Sequence, residues 1–292
     1  MKIALTGSLG NISKPLATKL IGAGHQVTII SSDENKADAI KALGGTPAIG
    51  SVDDVEFVTK AFDGADAVYT MVPPDFGATN YREYIARIGR VYAEAIKNSG
   101  IKKVVNLSSI GAHLPSGTGP IAGLYDVENI FAGLDGVAIK HLRAAYFYVN
   151  FYANVDMIKH AGILGSNHDA DTHLVLVHPN DIADAAAEEL QHDFTGKSIR
   201  YVSSDERTAG DVAKVLGSAI GKPELPWVEF SDEDNYNGMI QAGLTEEVAR
   251  VYTEMGASTR SGKLYEHYFA NKPAQLGETK LEDFAVEFAK AF

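Results

Sequence analysis

Met1-Lys2-Ile3-Ala4-Leu5-Thr6-Gly7-Ser8-Leu9-Gly10-Asn11-Ile12-Ser13 is the stretch from which the fold can be read. Ile3-Ala4-Leu5 is a short apolar run that stops at Thr6-Gly7. Leu16, Ala17, Leu20 and Ile21 then recur at helical spacing until Gly22-Ala23-Gly24. The order is strand, glycine turn, helix. Such a turn points backbone N–H groups and the positive end of a helix dipole at whatever lies above it, which suits a pyrophosphate. Gly7 permits the tight turn, and Gly10 removes a Cβ where phosphate oxygens would approach the backbone. A third glycine belongs at position 13; Ser13 is still small enough for helix and strand to pack closely.

Outward from this turn the alternation continues. Gln26–Ile30, Thr46–Ile49, Ala65–Met71, Lys102–Ser109 and Val137–Leu142 read as strands. Between them lie helices: one begins near Asn35, and one runs through Val58 and Phe62 behind a Ser51/Asp54 capping pair. A third covers Thr79–Asn98 and a fourth Ile121–Leu134. The 79–98 helix carries one apolar stripe (Tyr81, Tyr84, Ile85, Ile88, Val91, Tyr92, Ala95, Ile96), expected to be used up on the sheet. Gly111–Gly123, rich in glycine and proline, reads as a mobile loop. This regularity predicts an α/β protein: a Rossmann-type, doubly wound parallel sheet in residues 1–145, joined by later strands. A smaller, mainly helical carboxyl-terminal lobe, residues 146–292, would cover it. Within that lobe Trp227, Tyr236 and Met239 lie near the expected cover, and Thr279/Glu282 read as the cap of the last helix.

Ligands of such sheets sit beyond the carboxyl ends of the strands. The cofactor-binding expectation therefore comprises Gly7, Leu9, Gly10, Asn11 and Ile12 of the turn. To these it adds Ser31, Ser32 and Lys36 after the second strand, Ser51 and Val52 after the third, Met71, Val72 and Pro73 after the fourth, and Leu107 and Ser108 of the fifth. Two hydroxyls and a lysine after the second strand narrowly favour NADP over NAD; the same serines could instead cap the next helix.

Composition narrows the function. With 292 residues a sizeable core is available, and a net charge of −12 argues against nucleic acid or an anionic membrane as partner. No cysteine is present, so disulfides and thiol chemistry are out. The acidic balance favours a cytoplasmic protein; the opening apolar run is too short for a signal peptide core, and no uncharged run approaches bilayer length. His168, Asp169, Asp171 and His173 form a ligand-rich loop read as a solvated turn, so no metal is expected. Oligomeric state is open.

The stretches TGSLGNIS, VVNLSSIGA, DVENIF, LRAAYFYVNF and HPNDIADAAAEEL, in that order, resemble the NmrA-like group of atypical short-chain dehydrogenase/reductases, especially its quinone-oxidoreductase-like members. The resemblance implies NAD(P) binding, with members that are either reductases or redox-sensing regulators. It places Ser32 where relatives carry arginine and Ser51 where an aspartate receives the adenine amino group. The tyrosine and lysine of the dehydrogenase relay fall at Tyr125 and Asn129, and an alternative lysine at Leu124. Asn129 has no charge with which to lower a tyrosine pKa, so alcohol dehydrogenation or sugar epimerisation is disfavoured. Quinone reduction asks for less, since a hydroquinone anion takes its proton from water. Ser108 and Tyr125 remain the catalytic candidates. Tyr146, Phe147, Tyr148 and Phe151, with Asn150 as polar handle, could wall a substrate pocket or be core between the lobes. Two readings follow: a reductase of a quinone or activated carbonyl, and a non-catalytic NAD(P) sensor acting through a protein partner.

Overall fold

The computed structural model describes residues 1–292. The elements of the first half are β1 (Lys2–Leu5), α1 (Ser13–Gly22), β2 (Gln26–Ser31), α2 (Ala37–Ala42), β3 (Thr46–Ile49), α3 (Val55–Phe62), β4 (Ala67–Thr70), α4 (Tyr81–Ser99), β5 (Lys103–Ser109), α5 (Ile121–Ala132) and β6 (Ala138–Ala144). There follow β7 (Tyr146–Phe147), α6 (Val155–Ala161), β8 (Leu164–Ser166), β9 (His173–Val177), α7 (Pro179–Gln191), β10 (Lys197–Val202), β11 (Asp205–Thr208), α8 (Ala209–Ala219) and β12 (Trp227–Glu229). The chain ends with α9 (Asp232–Gln241), α10 (Glu246–Arg260), α11 (Glu266–Ala270) and α12 (Leu281–Phe288).

Seven parallel strands form the main sheet in the order β10-β6-β5-β4-β1-β2-β3. Strand order reverses between β1 and β4, so the crevice of a doubly wound sheet opens beyond Leu5 and Thr70. Leu16, Leu20, Ile182 and Leu190 of α1 and α7 share one buried cluster with Leu5, Tyr69 and Val105. On the opposite face Val58, Ile88, Tyr92 and Val127 of α3, α4 and α5 cluster with Val68, Val104 and Ile139. The strands are apolar on both sides because helices cover both.

A third cluster builds the second unit, around Tyr148, Phe151, Leu164, Leu216, Phe284 and Phe288. The HPND stretch explains how this unit is fastened. His178 Nδ1 accepts the Asn180 N–H and caps α7 (3.1 Å), with Pro179 in the first turn. Asp181, buried, accepts the Thr279 hydroxyl (3.0 Å) and amide (3.2 Å) and the Ser204 hydroxyl, clasping the tail to the sheet.

Several local expectations give way. The cap of α3 is Asp54, which accepts the Glu56 and Phe57 amides, while Ser51 Oγ only closes a turn on the Asp53 N–H. Asp33, not a serine, caps the turn Glu34–Lys36. Thr279 is spent on Asp181, so α12 starts a residue later, with Asp283 accepting the Lys280 N–H (2.9 Å). α4 buries Ala86, Gly89 and Ala93 besides its stripe, because small residues let α5 come close: a Cβ on Gly89 would lie 2.8 Å from Val127. Segment 111–120 is packed at its two ends, with Pro115, Ser116 and Gly117 exposed between them. Gly111, Ala112, Thr118 and Gly119 are buried, and a Cβ on Gly119 would sit 1.9 Å from the Val251 carbonyl oxygen. Trp227 stacks on His168 (5.0 Å between ring centroids) and donates to its carbonyl, on the side of the third cluster.

Candidate functional site

The turn after β1 is built by hydroxyls. Thr6 Oγ1 accepts the Met71 N–H (2.8 Å) and donates to the Met71 carbonyl (3.3 Å), stitching the exits of β1 and β4 together at the switch point. Gly7 then takes φ +89°, and Ser8 takes φ +55°, the single non-glycine residue with positive φ. A Cβ on Gly7 would fall 2.5 Å from Ser13 Oγ and 3.0 Å from Met71 sulfur. Ser13 Oγ donates to the Thr6 carbonyl (2.8 Å), so the residue in the third-glycine position fastens α1 to the strand exit. Ser8 ties the turn to β2, by N–H to the Ile30 carbonyl (3.0 Å) and by Oγ–H to Ser31 Oγ (2.9 Å).

What remains free is the backbone of the turn. Gly10, Lys14 and Leu16 donate their amides to Gly7, Gly10 and Ile12, whereas the N–H groups of Leu9, Asn11 and Ile12 have no acceptor in the chain. Gly10 and Asn11 are exposed, and a Cβ on Gly10 would lie 3.0 Å from the Gly7 carbonyl oxygen. Unpartnered amides at a helix N-terminus, beside a position where a side chain would intrude, fit a dinucleotide's pyrophosphate.

Ser31, expected at the ribose, is buried and engaged: its Oγ also accepts the Asp33 N–H (3.1 Å) and donates to the Asp33 carbonyl (3.3 Å). Ser32 is exposed. Asp33 Oδ1 is folded back on the Asn35 amide and side chain (3.0 Å each), and no ion pair engages half-buried Lys36. Ser51 is exposed and Val52 half-buried beyond β3. Met71, Val72 and Pro73 are half-buried beyond β4, where the Tyr92 and Tyr84 hydroxyls donate to the carbonyls of Met71 (2.8 Å) and Pro73 (2.9 Å).

At the tips of β5, β6 and β10 lies a polar row that sequence reading left unassembled. Ser108, Arg143 and Tyr201 are register neighbours on the three adjacent strands. Ser108 Oγ donates to Glu128 of α5 (2.6 Å), and Arg143 grips the same carboxylate in bidentate fashion (3.0 and 2.7 Å). Burial opposes the Arg143 charge, but the Glu128 pair outweighs it and holds the guanidinium firmly protonated. Tyr201 adjoins Arg143 (3.4 Å) and bonds His267 Nδ1 (2.6 Å). Ser108 has thus committed its proton and can only accept. Leu107 faces the first core. Tyr125 lies half-buried near Arg82, which is itself paired with Asp126 (2.7 Å), and the Asn129 side chain donates to the Tyr125 carbonyl (2.8 Å). No hydrogen bond joins Ser108 to Tyr125.

Of the aromatic stretch, Tyr148 and Phe151 are core. Tyr146 and Phe147 are half-buried in β7, and Asn150 is exposed. The Tyr146 hydroxyl lies near those of Tyr252 in α10 and Tyr265, and Tyr252 in turn faces Tyr81. Burial raises all four phenols, Tyr265 to about 12, and neighbouring phenols raise Tyr146 and Tyr81 further. Tyr252 and Tyr265 carry no periodic signal that would place them here; only the packing of α10 brings them in.

Residues 7–145 match the protein family described as NAD(P)H-binding. The whole chain superposes on the NADPH-dependent quinone oxidoreductase QOR2 of Escherichia coli with TM-score 0.80, at 21% identity over 98% of each chain. It also superposes on the Citrobacter sp. triphenylmethane reductase complexed with NADP(H), with TM-score 0.78 at 20% identity, covering 98% of this chain and 99% of the other. An uncharacterised protein of Schizosaccharomyces pombe is 25% identical over 258 residues, 80% of this chain and 84% of its own.

Proposed function

Taking as premise that residues 7–145 are an NAD(P)H-binding domain in a chain folded like the NmrA-like atypical short-chain dehydrogenase/reductases, we propose a reductase that passes hydride to a quinone or similarly activated carbonyl. The observation that carries the reading is the trio of unpartnered amides of Leu9, Asn11 and Ile12 at the switch point of the sheet. These amides, with Gly7 and Gly10, would hold the pyrophosphate. Ser32, Ser51 and Val52 would border the adenosine half, and Met71, Val72, Pro73, Leu107 and Ser108 the path to the nicotinamide. Unpaired Lys36, with Asp33 Oδ1 turned back on Asn35, supports NADP over NAD, as a 2′-phosphate would meet a cation there. Bound there, the reduced nicotinamide supplies hydride.

The chain's own contribution is to orient the acceptor and keep it dry. Tyr146 and Phe147, with Asn150 at the rim, would form the substrate wall, residues 146–292 supplying most of the cover. Walls of uncharged phenols and phenyl rings suit a flat neutral acceptor. NADPH and NADH oxidation with a quinone panel tests this. Turnover that vanishes in Gly10→Asp is expected; wild type no faster than that variant counts against it.

One observation favours a second reading, a non-catalytic NAD(P) sensor acting through a protein partner. Asn129, uncharged, spends its side-chain N–H on the Tyr125 carbonyl of its own helix, where the dehydrogenase relay would have a lysine. Cofactor binding without turnover, with partner capture that differs between NADP and NADPH, is its expected result; capture indifferent to nucleotide removes it.

A further inference from the structure

We propose that the Tyr146 hydroxyl is the hydrogen-bond donor to the substrate oxygen on which negative charge develops, a role that rests on the reductase reading above. Tyr146 is the second residue past β6, whose last residue, Ala144, lies beside Ser109 at the tip of β5. Its ring packs on the third core beside Phe151 (5.4 Å between centroids). Its hydroxyl has two phenols in its surroundings, Tyr265, a member of the first core, and Tyr252, which packs against the second. The hydroxyl therefore stands where three apolar clusters meet, above the carboxyl edge of the sheet.

Other groups there have polar neighbours of their own: the Tyr265 hydroxyl faces the Val175 backbone and the Thr259 side chain, and that of Tyr252 faces Tyr81. Ser108 donates to Glu128. Tyr146 hydrogen-bonds to nothing in the chain, and its oxygen is not sealed from solvent as that of Tyr69 is.

The chemistry sets what this group can do. An acceptor that takes up hydride gains two electrons and one hydrogen nucleus, and becomes a monoanion with charge on oxygen. A second proton then makes the neutral hydroquinone. Burial and two neighbouring phenols hold Tyr146 protonated far above neutral pH. It therefore stabilises the oxyanion without surrendering its proton, and the second proton comes from water. A neutral donor aimed at developing charge in a dry site is an oxyanion-hole device.

The test uses the full chain with NADPH and 1,4-naphthoquinone. For Tyr146→Phe, kcat is expected to fall about 100-fold, with the KM for NADPH and the unfolding midpoint unchanged and Tyr125→Phe falling less than Tyr146→Phe. A second readout needs no turnover: the carbonyl stretch of naphthoquinone bound to the NADP complex should lie below its free frequency in the wild type and return towards it in Tyr146→Phe. Replacing Tyr146 by 3-fluorotyrosine, which keeps ring and hydroxyl, should retain activity and so separates donation from folding. A Tyr146→Phe enzyme with wild-type kcat, or an unshifted band in the wild type, overturns the role of Tyr146 alone. A wild type with neither turnover nor a bound-quinone band overturns the reductase reading and this role with it.

Discussion

Substituting Glu128 by glutamine tests the polar row at the strand tips most directly. The Glu128 and Arg143 side chains are 12% and 8% exposed, and the carboxylate takes two bonds from the guanidinium and one from Ser108. Glutamine keeps the shape and one acceptor oxygen but removes the charge, leaving the buried Arg143 guanidinium without its counter-ion and with an amide N–H facing it where a carboxylate oxygen accepted. Orphaning one member of a buried pair costs about 3–5 kcal/mol. For a chain this long each kcal/mol moves the unfolding midpoint by roughly 2 °C, so a fall of roughly 6–10 °C is expected. Removing both partners, as Glu128→Gln with Arg143→Met, should restore most of it, because no unpaired charge remains; the coupling should be about 2 kcal/mol or more. The assay is thermal and urea unfolding followed by circular dichroism for wild type, both single variants and the double, the first reading the midpoint and the second the free energy. A Glu128→Gln loss below about 1 kcal/mol, or a double variant worse than the sum of the singles, would refute the view that charge pairing holds α5 to the sheet.

Gly10→Asp should weaken NADPH at least about 100-fold by calorimetry, roughly 3 kcal/mol, because its Cβ meets the Gly7 oxygen at 3.0 Å and its charge opposes phosphate. An unchanged dissociation constant would dislodge the pyrophosphate from this turn. Asp181→Ala should destabilise by about 3 kcal/mol and expose residues beyond 276 to limited proteolysis, since the tail loses its clasp; equal cleavage in wild type and variant contradicts that role. Stability should also fall with acid below pH 6.5, the ordinary imidazole value. His141, lowered by burial, accepts the Asn106 side-chain N–H at Nδ1 (3.1 Å), so the unfolded state binds the proton more readily. The contribution is complete above 6.5 and lost as pH drops towards the folded value; His141→Gln should flatten the slope between pH 7 and 5.

Much of the site could be read from local chemistry, and the remainder shows what local chemistry omits. The glycine turn was legible because its requirements are local: a positive φ at Gly7, no Cβ at Gly10 and a small residue at Ser13. Misplaced caps at Ser51 and Thr279 have one cause, a nearby competitor: Asp54 for the helix start, and Asp181, distant in sequence, for the hydroxyl. Segment 111–120 read as loose because glycine and proline were taken for freedom. Two of its glycines serve close approach instead, Gly111 under Leu264 and Gly119 under Val251, while Pro115 and Gly117 are exposed.

The sequence by itself determined the alternation of strand and helix, the parallel doubly wound sheet and the phosphate-sized turn on its first helix, since each depends on residues within a few positions of one another. Only the tertiary structure decided which hydroxyls are free. Ser31 and Ser108 are spent on partners that crossovers bring in, while Tyr146 is flanked by Tyr252 and Tyr265, more than a hundred positions away in the chain. Hydrogen-bond capacity is exhausted by whatever folds nearby, and that is a property of packing, not of spacing.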